Sequence, residues 1–431
     1  MKLLVFAHVP PPHHGQSYMV QLMLKGFGGD CRKSRNKSGA RNIYGIDCYH
    51  VDARFSKSLA DIGELQIGKV PLVLFYCLQA IWCRFRYGVT SFYYVPAPGK
   101  SVALYRDWLV MFVCRPFFKE IILHWHAAGL AKWLETSVQI RTRAVTYHAF
   151  KQASLSIVIS NYNVADAEKL LPRRIRVVSN GIPDPCPDFR KSILPRHQAR
   201  FAARAKLFAN EPLNPGDLEK TGGDPQVVRV LYLAHCTREK GLFAAAQAVL
   251  AANQILSARQ SPVRMKLFAA GSFVINEEKA EFDQLLKNPE FNHAVNYLGF
   301  VSGAEKERAL READLFCFPT RYIGENQPVN LIEAMAFGLP IVTTRWRSLP
   351  EMLPPNYPGL VDSQSPEQIA AALLRLMNER SGETARENFL GRFTIECHLE
   401  NLARAFHSLE TAALASPPAA QNSRTATPRN I

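Results

Sequence analysis

Nine cysteines are scattered through a chain of 431 residues with no Cys-x-x-Cys pair and no Cys/His grouping at zinc spacing, so neither a disulfide framework nor a structural zinc site is expected. No Asp-x-Asp triplet occurs, which removes a short acidic motif for holding a divalent cation. Long apolar runs are missing as well. The longest, Val70 to Cys83, is about two-thirds of the roughly 20 residues that a bilayer-spanning helix needs, and Arg84 and Arg86 close it. At the N-terminus a short apolar stretch meets three prolines and two histidines where a secretory leader would end in small residues, so a strand and a loop are expected there. Helix-turn-helix, RRM and zinc-finger patterns are also absent, and no nucleic-acid partner is expected.

Acidic residues are scarce in one half. Over the whole chain 52 Lys+Arg face 37 Asp+Glu, a net charge of +15. Residues 1–185 hold 24 Lys+Arg and 11 Asp+Glu, or +13, which leaves 28 and 26, or +2, for residues 186–431. At about 150 residues per domain the length implies two or three domains, and 10% aromatic residues exclude a disordered chain. Two apolar stretches lie in the basic half, Val70–Cys83 and Trp108–Cys114, the second resuming at Phe117 and Phe118. They read either as buried helices of an α/β domain or as a face that docks, with its Arg and Lys, on an anionic membrane surface.

Short apolar runs alternate with longer amphipathic ones, the pattern of βα units in parallel sheets, so the fold class is α/β with two Rossmann-like doubly wound domains. The first series of strands is expected near Lys2–Ala7, Ser91–Val95, Lys119–Leu123, Ser156–Ile159 and Arg176–Ser179. The second is expected near Arg229–Leu233, Met265–Ala269, Val295–Leu298, Leu315–Phe318 and Pro340–Thr343. Helical periods cover Gly241–Asn253, Glu277–Leu286, Glu305–Glu312, Val329–Phe337, Glu367–Asn378 and Phe389–Leu409. The expected domains are residues 1–184, a proline-rich linker at 185–227 with a basic helical piece at Arg196–Phe208, a second domain at 228–385, a closing helix at 386–415 and a disordered tail at 416–431.

The most informative segment runs from Phe318 to Pro340. It reads as a strand end, a loop, and a helix opened by Pro328 and stopped by Gly338 and Pro340. Glu325 then lies at the carboxyl edge of a sheet, where open α/β sheets bind ligands, and Glu333 lies eight residues on along the helix. After Glu325 the donor-binding candidates are Asn326, Gln327, Pro328 and Val329, and the backbone N–H groups there (Pro328 has none) point out of a helix N-terminus suited to a hydroxyl or an anion, although two carboxylates alone read equally well as solvated helix charges. The whole string, with Glu325, Glu333 and Glu333-Ala-Met-Ala-Phe-Gly-Leu-Pro340, resembles family 4 of the retaining glycosyltransferases and their E-x7-E motif. That resemblance, over about residues 1–410, implies a GT-B fold with its active site in the interdomain cleft. The nucleotide-sugar donor would sit on the C-terminal domain and the acceptor on the N-terminal one. Glu325 would contact the donor sugar near the reacting centre, and Glu333 the ribose.

Four further places carry the resemblance. Pro10-Pro-Pro-His-His-Gly15-Gln16-Ser17 follows the first strand and precedes a helix from about Tyr18, matching the family's loop near the donor diphosphate; a glycine such as Gly15 lets backbone amides approach a phosphate. His126 in His124-Trp-His126-Ala-Ala-Gly129 matches the active-site histidine, although a histidine at a strand end is often structural. Val177-Val-Ser-Asn180-Gly181-Ile182-Pro183 resembles the end of the first domain, or is a plain Asn-Gly turn. In Ala234-His235-Cys236-Thr237-Arg238-Glu239-Lys240-Gly241, Lys240 and Gly241 match the family, but His235 replaces the usual diphosphate-binding Arg, and Arg238 is the candidate substitute.

The implied activity is transfer of a sugar with retention, no metal and no cofactor, since the nucleotide-sugar is a substrate. The expected partners are a nucleotide-sugar donor, a glycan or lipid-linked acceptor, and an anionic membrane surface reached through the basic half. The expected setting is bacterial cell-surface polysaccharide or lipopolysaccharide synthesis, cytoplasmic and peripheral on the inner face of the membrane. The His235 departure keeps open a GT-B nucleotide-sugar epimerase, a phosphorylase or an inactive sugar-nucleotide-binding protein.

Overall fold

The computed structural model describes residues 1–11, 15–33, 43–54, 70–97, 99, 101–362, 364–378 and 382–415. The tail expected to be disordered, and His13 and His14 of the first loop, lie outside them.

Two six-stranded parallel sheets organise the chain. The first contains β1 (Lys2–Phe6), β2 (Asp47–Val51), β3 (Ser91–Tyr94), β4 (Glu120–Trp125), β5 (Leu155–Val158) and β6 (Ile175–Val177), in the order β2-β1-β3-β4-β5-β6. The second contains β7 (Val227–Leu233), β8 (Arg264–Ala270), β9 (Val295–Gly299), β10 (Leu315–Phe318), β11 (Ile341–Thr344) and β12 (Leu360–Val361), in the order β12-β11-β10-β7-β8-β9. Inner strands such as β3 and β10 are buried at every residue, as a sheet covered on both faces requires. In each sheet the chain builds outward on one side of its first strand and then crosses to the other side. The switch points therefore fall between β1 and β3 and between β7 and β10, and crevices open there at the carboxyl ends of the strands.

The ten expected strands are present, with ends shifted by at most two residues. Two more were not legible. β2 is spelled Asp-Cys-Tyr-His-Val, too polar to read as a strand, yet four of its five residues are buried against β1. β12 has only two residues.

The segment read as a linker is folded onto the second domain. Its helix begins at Phe189, not Arg196, and runs through Pro195 to Phe208; Pro195 lacks only the one N–H that would have reached back one turn. Cys186, Phe189 and Ile193 join the second core, and Arg200 Nε and Arg204 Nη2 reach Asp314 at 2.6 and 2.7 Å. The two guanidinium groups hold the Asp314 carboxyl well below the usual range against the opposing effect of burial. The closing helix is two helices, Gly382–Arg392 and Ile395–Ala415. The second crosses back, placing Leu399, Leu402, Ala403 and Phe406 in a core with Leu3, Val5 and Ile122 of the first sheet.

Both apolar stretches of the basic half are helical, Val70–Tyr87 and Ser101–Cys114. The first is buried through the smaller Val73, Cys77, Ala80 and Cys83, while Phe75, Leu78, Trp82 and Phe85 stand 60, 64, 52 and 69% exposed. The fully buried reading is therefore not what the fold adopts. Among the described residues, no helix is long and apolar enough to cross a membrane.

Candidate active site in the interdomain cleft

The loops after β7 and β10 flank the switch point of the second sheet, and the backbone ties them together. Arg321 N–H donates to Glu239 O at 2.7 Å, and Gly241, at φ +90°, packs so closely on Pro319 that a Cβ there would lie 2.4 Å from its carbonyl oxygen. Only glycine suits that conformation and that gap. The turn it permits sends Lys240 Nζ to Glu325 Oε2 at 2.7 Å, where Thr320 Oγ1 also donates at 3.0 Å. The ammonium lies 4.3 Å from the centre of the Tyr322 ring, a cation–π contact that helps fix it. Burial, then the Glu325 charge, raises the Tyr322 phenol above its usual range. Glu325 is buried and Lys240 nearly so, a charged pair at the mouth of a crevice.

Glu333, on the Val329–Ala336 helix, accepts from Lys306 Nζ at 2.6 Å. Each carboxylate of the E-x7-E motif thus has its own lysine. The Gly15–Gly26 helix approaches the same helix: a Cβ on Gly15 would lie 4.0 Å from Val329 Cγ2, and Met19 and Leu22 pack into the second core. That helix opens at Gly15 and carries Gln16 in its first turn, three residues before the expected Tyr18. Burial, then the Glu333 charge, raises the Tyr18 phenol.

The side chains of three donor-binding candidates, Arg238, Asn326 and Gln327, are engaged away from the crevice. Arg238 pairs with Glu281 at 2.6 Å and lies over the Phe243 ring at 4.4 Å, so its charge is turned to the Asn276–Leu285 helix and not to the crevice. The Asn326 and Gln327 side chains clasp the first domain. Ser160 Oγ donates to Asn326 Oδ1 at 2.8 Å, Asn326 Nδ2 donates to Asn163 Oδ1, and Asn180 N–H donates to Gln327 Oε1 at 2.9 Å. Pro328 caps the following helix and Val329 begins it, as read from the sequence. His235 is exposed, yet partial desolvation of its ring and then the Lys240 charge lower it from the usual histidine range, so it adds no positive charge to the crevice.

His126 follows β4 at the carboxyl edge of the first sheet, its ring 4.2 Å from that of His124. His124 is buried, with Nδ1 2.6 Å from Tyr93 Oη, and burial, with the charges of His126 and His398, holds it well below its usual range. A neutral His124 thus packs against His126 from below. Three residues were not legible from the sequence: Lys306, Thr320 and Tyr322 carry no motif of their own, and only the fold brings them to the carboxylates.

Residues 228–379 match the family Glycosyl transferases group 1. A stretch of 175 residues is 26% identical to the amylovoran biosynthesis glycosyltransferase AmsK of Erwinia amylovora, covering 40% of this chain and 41% of that one. Another of 151 residues is 26% identical to the putative colanic acid biosynthesis glycosyltransferase WcaL of Salmonella typhimurium, covering 34% and 35%. The chain thus spans less than half the length of these curated relatives. In fold it is similar to Anabaena HepE in complex with UDP (TM-score 0.59, 15% identity, 95% of this chain and 100% of that one). It is also similar to sucrose-phosphate synthase from Thermosynechococcus elongatus (TM-score 0.61, 17% identity, 96% and 100%). Lys240, Glu325 and Glu333 therefore lie within the segment, residues 228–379, that matches the glycosyl transferases group 1 family, in a chain of GT-B fold.

Proposed function

We propose that this chain is a retaining, metal-independent glycosyltransferase that moves a sugar from a nucleotide-sugar to an acceptor hydroxyl. The observation that carries the reading is the convergence of Lys240, Thr320 and Glu325 at the switch point of the second sheet. In this reading the bond from the anomeric carbon to the diphosphate breaks while the acceptor oxygen bonds on the same face, and the acceptor proton passes to the departing phosphate oxygen. Negative charge grows on the diphosphate, and Lys240 stabilises it in a half-enclosed site where such an interaction is stronger than in water. Glu325 steadies the positive sugar, Glu333 holds the ribose, and the amides about Gly15 and Gln16 face the diphosphate. His126 lines the acceptor side. Because HepE binds UDP, UDP-sugars are the first donors to test.

The same reading places the acceptor in surface-polysaccharide synthesis, lipid-linked and reached from an anionic membrane. Its support is the outer face of the Val70–Tyr87 helix, where Phe75, Leu78, Trp82 and Phe85 stand out beside Arg84 and Arg86, with no carboxylate anywhere in the helix. Phe117, its ring centre 6.1 Å from that of Phe85, extends the apolar face.

Glu325→Ala tests the core of the proposal. Transfer from UDP-sugars is expected to fall by about a hundredfold or more while the far-UV circular dichroism is kept. Full activity in that variant would end the assignment of Glu325, and with it this active site.

A further inference from the structure

The loop after β11 holds a guanidinium that the fold leaves unanswered. Arg347 sits at φ +51°, in the left-handed region that costs a side-chain-bearing residue strain. Its Nε and Nη1 are buried with no hydrogen-bond acceptor, and among the described residues it has no carboxylate partner. Its neighbour Arg345, by contrast, pairs with Asp362 at 2.9 Å. The Arg347 guanidinium carbon lies 5.6 Å from the Trp346 ring centre and 5.8 Å from that of Tyr162, which belongs to the first domain. It also reaches the loop of His126: a Cβ on Gly129 would lie 2.9 Å from Nη1, so the glycine there leaves room for it. The acidic residues near that contact are already occupied. Asp166 accepts from the Gly129 and Ala131 amides at 2.6 and 3.0 Å, and Glu351 from the Asn161 and Tyr162 amides at 2.8 Å each.

We infer that Arg347 docks an acidic group, phosphate or carboxylate, of the acceptor between the two domains. Strain and buried, unanswered N–H groups are two separate costs at one residue; the two aromatic rings face the guanidinium, but among the described residues neither N–H group finds an acceptor. An oxyanion would satisfy the planar donor fork directly, with two parallel hydrogen bonds. The position favours the acceptor over the donor. Across the cleft Arg347 meets the loops after β4 and β5 of the first sheet, whereas Lys240 and Lys306 stand with Glu325 and Glu333 on the donor side. Only the naming of the ligand as acceptor rests on the transferase reading; an anion site at Arg347 does not.

The test is calorimetric titration of farnesyl monophosphate, inorganic phosphate and methyl glucuronide into the full-length Lys240→Met protein, with and without Arg347→Gly. Lys240→Met removes the cation assigned to the donor diphosphate, and Lys306 is already paired with Glu333. At least one probe is expected to bind Lys240→Met and to lose about tenfold or more in affinity when Arg347→Gly is added, with Arg347→Lys intermediate. Tighter binding of farnesyl monophosphate than of inorganic phosphate would identify a lipid phosphate, and tighter binding of the glucuronide an acidic sugar. Arg347→Gly alone should melt no lower than the unaltered protein, because glycine accepts the backbone angle and the orphaned guanidinium is gone. Unchanged affinities for all three probes, or no binding to Lys240→Met, would overturn the inference. So would a lower melting temperature in Arg347→Gly, which would make the arginine structural. UDP titrated into the unaltered protein separates the two claims, since its failure to bind would sink the transferase reading and leave the anion result standing.

Discussion

Lys240 and Glu325 show how much of the site depends on one contact. Glu325 is buried, and apart from Lys240 its recorded side-chain partner is the Thr320 hydroxyl. Lys240→Met should therefore destabilise the fold by about 1–3 kcal/mol, because a buried carboxylate loses its charged partner. Adding Glu325→Gln should return most of that loss, since a neutral amide still accepts from Thr320, but should not restore UDP binding. Melting temperature and UDP affinity measured across the four proteins check this. If the double variant recovers both, Lys240 serves the fold and not the donor. Two separate motifs made these residues legible in the sequence, Lys240-Gly241 and the Glu325–Glu333 string. They did not show where the side chains of Asn326, Gln327 and Arg238 would turn, because a local pattern carries no information about which long-range partner, Asn180 or Glu281, will claim a side chain.

The Val70–Tyr87 helix is the element whose reading changed most. Its apolar run is compatible with a buried helix, and only the packing reveals that the smaller residues face the sheet and the large ones face out. A patch of this kind on a chain's surface marks an interaction site. Replacing Leu78, Trp82 and Phe85 by Ser in the full chain is expected to lower binding to phosphatidylcholine–phosphatidylglycerol vesicles by about tenfold or more, with the unaltered protein's binding weakening as salt rises. Co-sedimentation measures it, and vesicle binding equal to that of the unaltered protein would remove this helix from the docking face. The whole chain is needed because residues 1–185 alone lack Leu399, Leu402 and Phe406, which complete the core of the first sheet.

For the molecule as a whole, the Ile395–Ala415 helix is the strap that joins the last residues to the first domain. His398 on it faces Ser179 O, with Nδ1 2.6 Å away, and burial pushes its pKa down to about 4 from an ordinary value of 6.5. The unfolded chain therefore binds a proton between these values that the folded one refuses. The stability that neutral His398 permits is full above about pH 6.5 and is lost as pH falls towards 4, on the order of 3 kcal/mol if the group acts alone. His398→Asn, whose amide can still donate to Ser179 O, should flatten the fall in melting temperature between pH 6.5 and 4. An unchanged slope would assign the acid sensitivity to other buried histidines, His124 first among them.

Strand alternation, the proline and glycine punctuation about Val329–Ala336 and the Glu325–Glu333 string determine by themselves that the chain is α/β, that it has two sheets, and where the acidic motif lies. These are local properties, written in the order of neighbouring residues. The tertiary structure decided the rest. It made a strand of Asp47–Val51 by burying polar residues against β1, and folded the 185–227 segment onto Asp314. It returned the Ile395–Ala415 helix to the first domain, turned the Arg238 side chain away, and left Nε and Nη1 of Arg347 without an acceptor among the described residues. Each of these depends on contacts between residues far apart in the chain. Burial, charge pairing and strain at a given residue arise only when those distant segments meet.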